Sequence, residues 1–580
     1  MNIWNMKNIN KMKRSLLLGK ILLVGLFITV FNQSCTNLDE ELFSEVTPDD
    51  YFKTEEQFVT ALASAYTRLG PYGFEGDAFA FQEVSTDEMM VPTRGADWDD
   101  GGDWRRISLH SWTFEDGKVR NAWNFGFQGV TTCNQLIFQF QELVDQGAVD
   151  PETADAFIAE LVVLRGFYYW YLMDTFGNVP YVTDFATAEA QPSTNTRAEI
   201  YANLIQELEA GVPKLSQAND GTTYGRMNYW AGKHLLALLY LNAGVYTGTP
   251  EWQKAADAAN EIITSGIYNL ESDYFANFNI NNQGSGEFIF AIPYDKVFFQ
   301  GFNLPMRTLH YGSQDTYNLT AQPWNGYCSL EEFYNSYDDT DLRKGTPGTI
   351  DGPSKTRGNF VAGYQYFADG KTPVTDANWE QPNPTRVPPL LGDPDGEHLN
   401  FGNIGSTQPH VNELGPQAYR QAGVRIGKWE FELGGTENMS NDRAIFRYAH
   451  TLLIRAEALW RIDPGSVEAL SLVNQVYGRS NNSVLTSLDG VPSFLVSEGG
   501  TSVPGGELLN ELGREMFSES FRRQDLIRWG YFTEVDKWLP PVNNPGDIVK
   551  AGDAFGYTTI LPIPRESIEA NPNLDQNPGY

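Results

Sequence analysis

Residues 445–460 read Ile-Phe-Arg-Tyr-Ala-His-Thr-Leu-Leu-Ile-Arg-Ala-Glu-Ala-Leu-Trp, and this stretch decides the fold class. From Ile445 to Trp460 the apolar residues recur three or four positions apart, which is the spacing of one buried helix face. The turn Asp463-Pro464-Gly465 predicts where this helix ends, and a second helix is predicted from about Ser466 to Tyr477. Together the two predict a helical hairpin.

The same pattern occurs twice more. Tyr229 to Tyr246 is apolar almost all round, and it is followed by a predicted helix from Trp252 to Ser265 with small residues on its inner face. Val119 to Val144 and Pro151 to Thr175 form another predicted pair. Stacked helix pairs are typical of tetratricopeptide-type repeats, although the strict repeat signature is absent. The predicted fold class is therefore mainly α, with degenerate tetratricopeptide-like helical repeats.

Two segments interrupt this helical texture. Between about 271 and 428 the chain is rich in Gly, Pro, Asn and aromatic residues, with short strand-like pieces such as Glu287 to Ile292. The segment 77–112 is similar. Because loops on a rigid scaffold usually carry binding function, both are predicted to form the ligand surface, on a helical scaffold of about 119–270 and 441–530.

The N-terminal residues 1–34 carry five basic residues and no acidic residue around an apolar stretch from Leu16 to Phe31, which predicts a secretion signal. The apolar stretch is interrupted by Lys20 and is short for a bilayer span. Cys35 follows directly, after the small Ser34, so it is predicted to become the lipid-bearing first residue of a lipoprotein. The lipid would anchor the chain to a membrane without crossing it.

Composition excludes several classes of partner. The formal net charge is -33, and loss of the signal's five basic residues makes it -38, so nucleic acid is a poor partner. Cys133 and Cys328 are predicted to be buried thiols, since two cysteines build neither a disulfide framework nor a metal cluster. Aromatic residues make up 13% of the chain, which favours ring platforms for sugars beside a large aromatic core.

Catalytic signatures were sought, and neither H-E-x-x-H nor G-x-S-x-G occurs. Gly370-Lys371-Thr372 lacks the first glycine of a phosphate loop. No metal, cofactor or catalytic residue is predicted, although a glycosidase carboxylate pair would leave no trace in the sequence. Asp341 is predicted to pair with Arg343, and the charged run 519–530 to form buried ion pairs. The histidines are scattered, at His110, His234, His310, His398, His410 and His450.

Several strings resemble the SusD/RagB family of outer-membrane nutrient-binding lipoproteins, and their order along the chain is more specific than any one of them. They lie at 46–52, 165–169, 176–180, 240–243, 441–458, 523–530, 561–564 and 571–580. The sequences Glu-Leu-Gly-Arg-Glu at 511–515 and Gln-Val-Tyr-Gly-Arg at 475–479 depart from the family pattern. These departures are predicted to affect packing rather than the ligand surface.

The resemblance implies a signal peptide at 1–34 and one SusD-like domain at 35–580, with four tetratricopeptide-like helix pairs. It also implies capture of a polysaccharide or oligosaccharide without cleavage, so the protein is predicted not to be an enzyme. The partner would be a SusC-like TonB-dependent transporter of the outer membrane, where the lipid-anchored chain faces outward. Three alternatives stay open, namely capture of peptide or glycopeptide as in RagB-type members, an envelope glycoside hydrolase, and a scaffold for transporter assembly without its own ligand.

Candidate glycan-binding residues lie in two loops. The first, 94–104, places two tryptophans among Gly and Asp, and the second, 324–327, is similar to a loop with a ligand-stacking aromatic in starch-binding members. Rings stack on the apolar face of a sugar while charged and amide side chains bond its hydroxyls. Packing against the scaffold is the alternative role for each tryptophan. The candidates are Arg94, Asp97, Trp98, Trp104, Trp324, Asn325 and Tyr327.

Overall fold

The structure is a computed structural model that describes residues 55–94, 97–187, 189–355, 357–375, 398–402, 418, 420–496, 499–534 and 556–580. The predicted signal at 1–34 and Cys35 lie outside the described residues, as does His410. The helices are α1 (Glu55–Tyr66), α2 (Asp77–Glu83), α3 (Asp103–Ser108), α4 (Gly117–Asp145), α5 (Pro151–Phe176), α6 (Arg197–Gly211), α7 (Tyr229–Leu241), α8 (Ala243–Thr247), α9 (Trp252–Ser265), α10 (Leu304–Thr308), α11 (Ser313–Tyr317), α12 (Glu331–Asn335), α13 (Tyr448–Ile462), α14 (Val467–Gly478), α15 (Gly506–Met516), α16 (Arg522–Trp529) and α17 (Arg565–Ala570). The strands are β1 (Met89–Met90), β2 (Phe288–Ile292), β3 (Cys328–Ser329), β4 (Phe360–Val361), β5 (Gly363–Tyr364), β6 (Asn400–Phe401), β7 (Arg425–Ile426) and β8 (Arg443–Arg447).

The hairpin of α4 and α5 shows how the sequence builds the scaffold. Asp150 caps α5 by accepting a hydrogen bond from the Thr153 amide, and Pro151 begins the helix. In α4, Gly126 and Gly129 allow close packing, because a Cβ at either would lie within 2.5 Å of a side chain of α5. Among the described residues, α5 is the helix long and apolar enough to cross a membrane, but 83% of that stretch is buried inside the protein. It is therefore a core helix.

The other two predicted hairpins are present, with two corrections. The stretch predicted as one helix from Tyr229 to Tyr246 is divided at Asn242 into α7 and α8. The helix predicted from Ile445 begins only at Tyr448, because residues 443–447 pair with β2 as the antiparallel strand β8. Both strands are buried, so the apolar residues there satisfy strand packing as well as helix periodicity.

The insertion between α9 and β8 contains the five-residue strand β2, short helices and two-residue strands, joined by loops. The described strands form four antiparallel two-stranded sheets, with orders β1-β3, β2-β8, β4-β7 and β5-β6. Segment 77–112 is less loop-like than predicted, since it contains α2, β1 and α3. Residues 78–94 are buried, and among the described residues after them Asp97 and Trp98 are partly exposed.

Buried ion pairs join the insertion to the scaffold, and we call them the scaffold network. At its centre the Arg447 guanidinium lies 2.6 Å from the Glu515 carboxylate, 2.7 Å from that of Glu519 and 3.1 Å from that of Glu287. Lys428, from the insertion, contacts Glu519 at 2.5 Å. All these side chains are buried, so each charge depends on its partners rather than on water.

A second buried arginine extends the scaffold network. Arg343 contacts Asp341 at 2.8 Å, as predicted from the sequence, and Glu511 of α15 at 2.7 Å. Glu511 and Arg479 belong to the two strings that depart from the family pattern, and Arg479 pairs with Glu287 and Glu515. The departing residue of the second string, Tyr477, is buried, and its predicted role in packing is consistent with this burial.

The charged run at 519–530 forms buried ion pairs, as predicted. Arg522 contacts Asp87 at 2.6 Å, and Arg523 contacts Asp174 at 2.6 Å. Arg528 of α16 contacts Glu457 of α13 at 2.6 Å. Arg528 also contacts Asp525, within α16, at 2.6 Å. The thiols of Cys133 and Cys328 are buried, which confirms their predicted placement.

Candidate functional site

The loop after Arg94 turns sharply through residues with left-handed backbone. Trp98 has φ 57°, Asp100 has φ 42°, and Gly101 and Gly102 have φ 62° and 86°. Glycine adopts such angles freely, whereas a tryptophan there requires support from its surroundings. Backbone hydrogen bonds in both directions between Arg94 and Asp97 close the turn just before Trp98. The result is a partly exposed indole on a fixed backbone.

Trp98 joins the two predicted loops directly. Its indole Nε1 donates a hydrogen bond of 2.6 Å to the backbone carbonyl of Trp324. Its ring meets Trp104 edge to face, with the centroids 5.5 Å apart. Trp324 is also partly exposed, so two partly exposed tryptophans 226 residues apart are joined through the indole of one and the backbone of the other.

Gly326 is required for this approach. A Cβ at this position would lie 2.6 Å from both the Trp98 ring and the Arg307 carbonyl oxygen. Both are far below an ordinary contact distance, and a backbone carbonyl cannot move aside easily. Any larger residue would therefore displace the Trp98 ring.

Two buried arginines hold the second loop from beneath. Arg94 donates to the carbonyls of Asn325, Gly326 and Ala422 at 2.6, 2.9 and 2.9 Å. Arg425 donates to the Asn325 side-chain oxygen at 2.8 Å. Burial lowers the pKa of Arg94 and lowers that of Arg425 further below its usual value. Their hydrogen bonds satisfy carbonyls that have no place in a helix or sheet ladder.

A polar rim surrounds the two indoles. The Tyr311 hydroxyl donates a short hydrogen bond to the Asp97 carboxylate, and burial followed by this bond raises the pKa of Tyr311 above its usual value. The Arg307 guanidinium lies 5.6 Å from the centre of the Trp324 ring, and that of Arg420 lies 5.9 Å from the Tyr311 ring. We call this set the Trp98–Trp324 surface, formed by Asp97, Trp98, Arg307, Tyr311, Trp324 and Arg420.

The seven predicted contact residues come together here, but at two depths. Trp98, Trp324 and Asp97 are partly exposed. The other four are buried and contact protein, so in this structure they hold the loops rather than face a ligand: Arg94, Trp104, Asn325 and Tyr327. Sequence reasoning missed Tyr311, Arg307 and Arg420, for which loop composition was the one available signal.

The carboxylates of the first loop are engaged with other side chains. Asp97 accepts from Tyr311, Asp99 pairs with Arg105 at 2.8 Å, and Asp100 accepts from the Trp104 indole at 2.7 Å. Asp103 pairs with Arg106. The loop therefore presents aromatic surface with hydrogen-bonding groups at its edge.

Two histidines that look unrelated in the sequence meet in the scaffold. His234 Nε2 lies 3.2 Å from His450 Nδ1, and burial lowers the pKa of His234 to about 3, so the pair is neutral and packed. Among the described residues no group of three or more His, Cys, Asp or Glu side chains is placed to hold a metal ion. The His pair is a packing feature of the helix interface.

Comparison with known proteins gives matches along most of the chain. The chain is 26% identical over 541 residues to the starch-binding protein SusD of Bacteroides thetaiotaomicron, covering 88% of this chain and 86% of that protein. It is 24% identical over 578 residues to SusD-like protein P2 of Formosa agariphila, covering 97% and 99%. Among solved structures, surface glycan-binding protein A of B. thetaiotaomicron with laminarihexaose has a TM-score of 0.63 and 20% identity, covering 90% of this chain and 99% of that one.

These similarities confirm the mainly helical fold predicted from the hairpins. A family model described as "Starch-binding associating with outer membrane" matches residues 42–241. A second, described as "SusD family", matches residues 286–580, about half of the chain, and includes the second candidate loop. By this match, with the fold and the relatives that agree with it, the chain belongs to the SusD family.

Proposed function

We propose that this protein binds a neutral glycan at the Trp98–Trp324 surface and delivers it uncleaved to a SusC-like TonB-dependent transporter. The observation that carries the proposal is the pair of partly exposed tryptophans, in which the Trp98 indole is fixed by its hydrogen bond to the Trp324 carbonyl and the Trp324 ring lies beside the Arg307 guanidinium. Fixed rings lose little conformational entropy when a flat ligand stacks on them, and this favours binding.

The rim suits sugar hydroxyls. Arg307 and Arg420 carry guanidinium donors beside the rings, and the Asp97 carboxylate is an acceptor at the same edge. A net charge of -33 disfavours polyanionic ligands, so a neutral glycan is the better match. The names of the relatives support this choice, since one is a starch-binding protein and solved neighbours are a laminarin-binding protein and a glycan-binding protein with laminarihexaose.

The first test is retardation of the chain from residue 36 in gels that contain starch, laminarin, mannan, xylan, pectin or fructan, followed by calorimetric titration. We expect binding to one neutral polysaccharide and a loss of about tenfold or more in Trp98→Ala and Trp324→Ala. The matched control is Phe298→Ala, which removes a phenyl ring that is 90% exposed in another turn. Equal affinity of both tryptophan variants and the wild type, with the fold intact by circular dichroism, would exclude this surface.

The same samples separate the alternatives. Release of reducing ends from the bound polysaccharide would establish a hydrolase and contradict capture without cleavage. If the protein binds none of the six polysaccharides but binds peptides or glycopeptides, its function is peptide capture. If cells that carry the protein without both indoles still grow, and the transporter still co-purifies with it, the protein is a scaffold for transporter assembly that needs no ligand.

Membrane attachment is proposed to depend on Cys35. We expect wild-type protein to carry a lipid, to fractionate with the outer membrane and to be cleaved by protease added to whole cells. The Cys35→Ala variant is expected to be absent from the membrane fraction. Co-purification of a TonB-dependent transporter with the wild-type protein tests the proposed partner, and its absence from membranes solubilised in mild detergent would contradict that assignment.

A further inference from the structure

A second group of aromatic side chains lies on β5 and the residues that continue it. Side chains alternate between the faces of an extended strand, so Tyr364 and Tyr366 share one face while Gln365 points to the other. Gln365 is fully buried, whereas Tyr364 is 45% exposed and Tyr366 partly exposed. The strand therefore presents two phenol rings outward from a buried base.

His398, two residues before β6, lies between these rings. Its ring centre lies 4.7 Å from that of Tyr364 and 4.8 Å from that of Tyr366, at interplanar angles of 38° and 80°. Its Nε2 donates a hydrogen bond of 2.7 Å to the Gln365 carbonyl. In the neutral ring Nδ1 is then an acceptor, and it has no hydrogen-bond partner within the described part of the chain. We call these three side chains the tyrosine platform.

The backbone below the tyrosine platform is well ordered by hydrogen bonds. The Gln365 amide donates to Leu399 at 2.8 Å, and the Leu399 amide donates to Val374 at 2.8 Å. Val374 in turn donates to Gln365 at 3.0 Å, and the Gln365 side chain donates to the Gly363 carbonyl at 2.8 Å. Three short backbone segments are thus bound to one another, which fixes the rings without a ligand.

The backbone beneath the tyrosine platform contacts the segment that follows Tyr311 of the Trp98–Trp324 surface. Gly312 directly follows Tyr311, and a Cβ on it would lie 2.8 Å from the Val374 side chain. Farther along, the Ala368 amide donates to the Asp315 carbonyl at 3.2 Å. The strands beneath the tyrosine platform therefore pack against the segment that carries Tyr311.

We propose that Tyr364, Tyr366 and His398 form a second glycan-binding subsite, which takes the continuation of a sugar chain whose other part lies on the Trp98–Trp324 surface. The phenol rings offer flat apolar faces, and His398 Nδ1 accepts a hydrogen bond from a sugar hydroxyl. The proposal rests on the proposed function and deepens it, because two separated subsites select long chains over short ones.

The test compares chain lengths. The polysaccharide that retards the wild-type protein in gels is used with its own trisaccharide and octasaccharide in calorimetry. Tyr364→Ala and His398→Ala are expected to weaken binding of the octasaccharide and the polymer about five- to tenfold while trisaccharide binding at the indoles is unchanged. Tyr364→Phe keeps the ring and is expected to bind like the wild type, and Phe298→Ala is the control for loss of an exposed ring.

The outcomes separate this subsite from the proposed function. If Trp324→Ala abolishes binding but Tyr364→Ala and His398→Ala bind the octasaccharide and the polymer like the wild type, the subsite is wrong and the proposed function stands. If Tyr364→Ala weakens binding of the trisaccharide, the octasaccharide and the polymer equally, the tyrosine platform is part of the primary site rather than an extension of it. This result also overturns the proposal. If the wild type binds none of the polysaccharides, both proposals are overturned.

Discussion

In the helical scaffold the buried guanidinium of Arg447 contacts three carboxylates, whereas in the candidate binding loops the buried guanidinium of Arg94 contacts backbone carbonyls. The partners of Arg447 are Glu515 and Glu519 of the scaffold and Glu287 of the insertion, and removing the arginine would leave several buried negative charges. The partners of Arg94 are neutral. Their loss would leave carbonyls without hydrogen bonds but would create no charge imbalance.

This difference separates global stability from loop shape. A carboxylate cluster around one cation couples distant elements strongly, and every member depends on the rest. A cation that gathers carbonyls instead replaces the hydrogen bonds that irregular backbone lacks. We therefore expect changes in the scaffold network to affect unfolding and changes at Arg94 to affect mainly the ligand surface.

The largest effect is expected from Arg447→Met. It leaves Glu515, Glu519 and Glu287 without their central cation, which should lower the free energy of unfolding by about 3–5 kcal/mol. Urea denaturation followed by circular dichroism measures this change. Arg447→Lys keeps the positive charge but loses the forked geometry of the guanidinium. Its free energy of unfolding should therefore lie between those of the wild type and Arg447→Met. A wild-type midpoint in Arg447→Met would contradict the role given to the scaffold network.

The second largest effect on the free energy of unfolding is expected from acidification. Burial alone would raise the pKa of Glu457, but Arg528 and Arg461 outweigh it and lower the pKa to about 2. The stability that Glu457 contributes is therefore present above its unfolded pKa of about 4.5 and is lost as the pH falls towards 2, so that about 2 kcal/mol is lost by pH 3. Urea midpoints from pH 7 to pH 3 measure the decrease. A constant midpoint over this range would contradict it.

A smaller global effect and a larger local one are expected for Arg94→Met. The unsatisfied carbonyls of Asn325, Gly326 and Ala422 should lower stability by about 1–3 kcal/mol. Hydrogen exchange at residues 324–327 should rise, and affinity for the polysaccharide bound by wild type should fall, while the helices keep their protection. Arg565→Met, at an exposed ion pair, is the control. Unchanged exchange in this loop would contradict the role of Arg94.

The helices could be predicted from the sequence because their signals are local. The pattern predicts Trp252 to Ser265 with the bounds of α9, since its small inward residues lie within the helix and Gly266 follows it directly. The start of α13 was missed because Ile445 is buried equally well in a strand, and the strand depends on pairing with β2. Periodicity cannot choose between two buried conformations when a distant segment decides.

The candidate loops could be located, but the depth of their residues could not be predicted. Trp98 and Trp104 lie in the same Gly- and Asp-rich stretch, yet one is partly exposed and the other is 3% exposed. Arg94 finds its partners 231 to 328 residues away, and these are carbonyls, which every residue carries. Such pairing leaves no mark in the sequence.

The smallest effect is expected from Lys118→Met. Its ammonium lies 3.8 Å from the centre of the Trp104 ring and 3.2 Å from the Asp77 carboxylate. Loss of this cation–π contact should lower stability by about 0.5–1 kcal/mol and leave ligand affinity almost unchanged, because Trp104 lies beneath the surface. Thermal unfolding and calorimetry measure the two quantities. A large loss of ligand affinity in Lys118→Met would contradict this, because it would show that Trp104 affects binding although its side chain is buried.

The hydrogen bond from Arg94 to Ala422 joins residues 328 positions apart, and this separation sets the order in which the molecule can be completed during synthesis. The α4–α5 hairpin can form while the ribosome is still making the insertion, because its contacts are local and loop closure is fast. The frame below the two indoles has to wait until residue 422 has been added. A chain interrupted before that point would keep recognisable helices but would lack the Ala422 carbonyl that Arg94 binds.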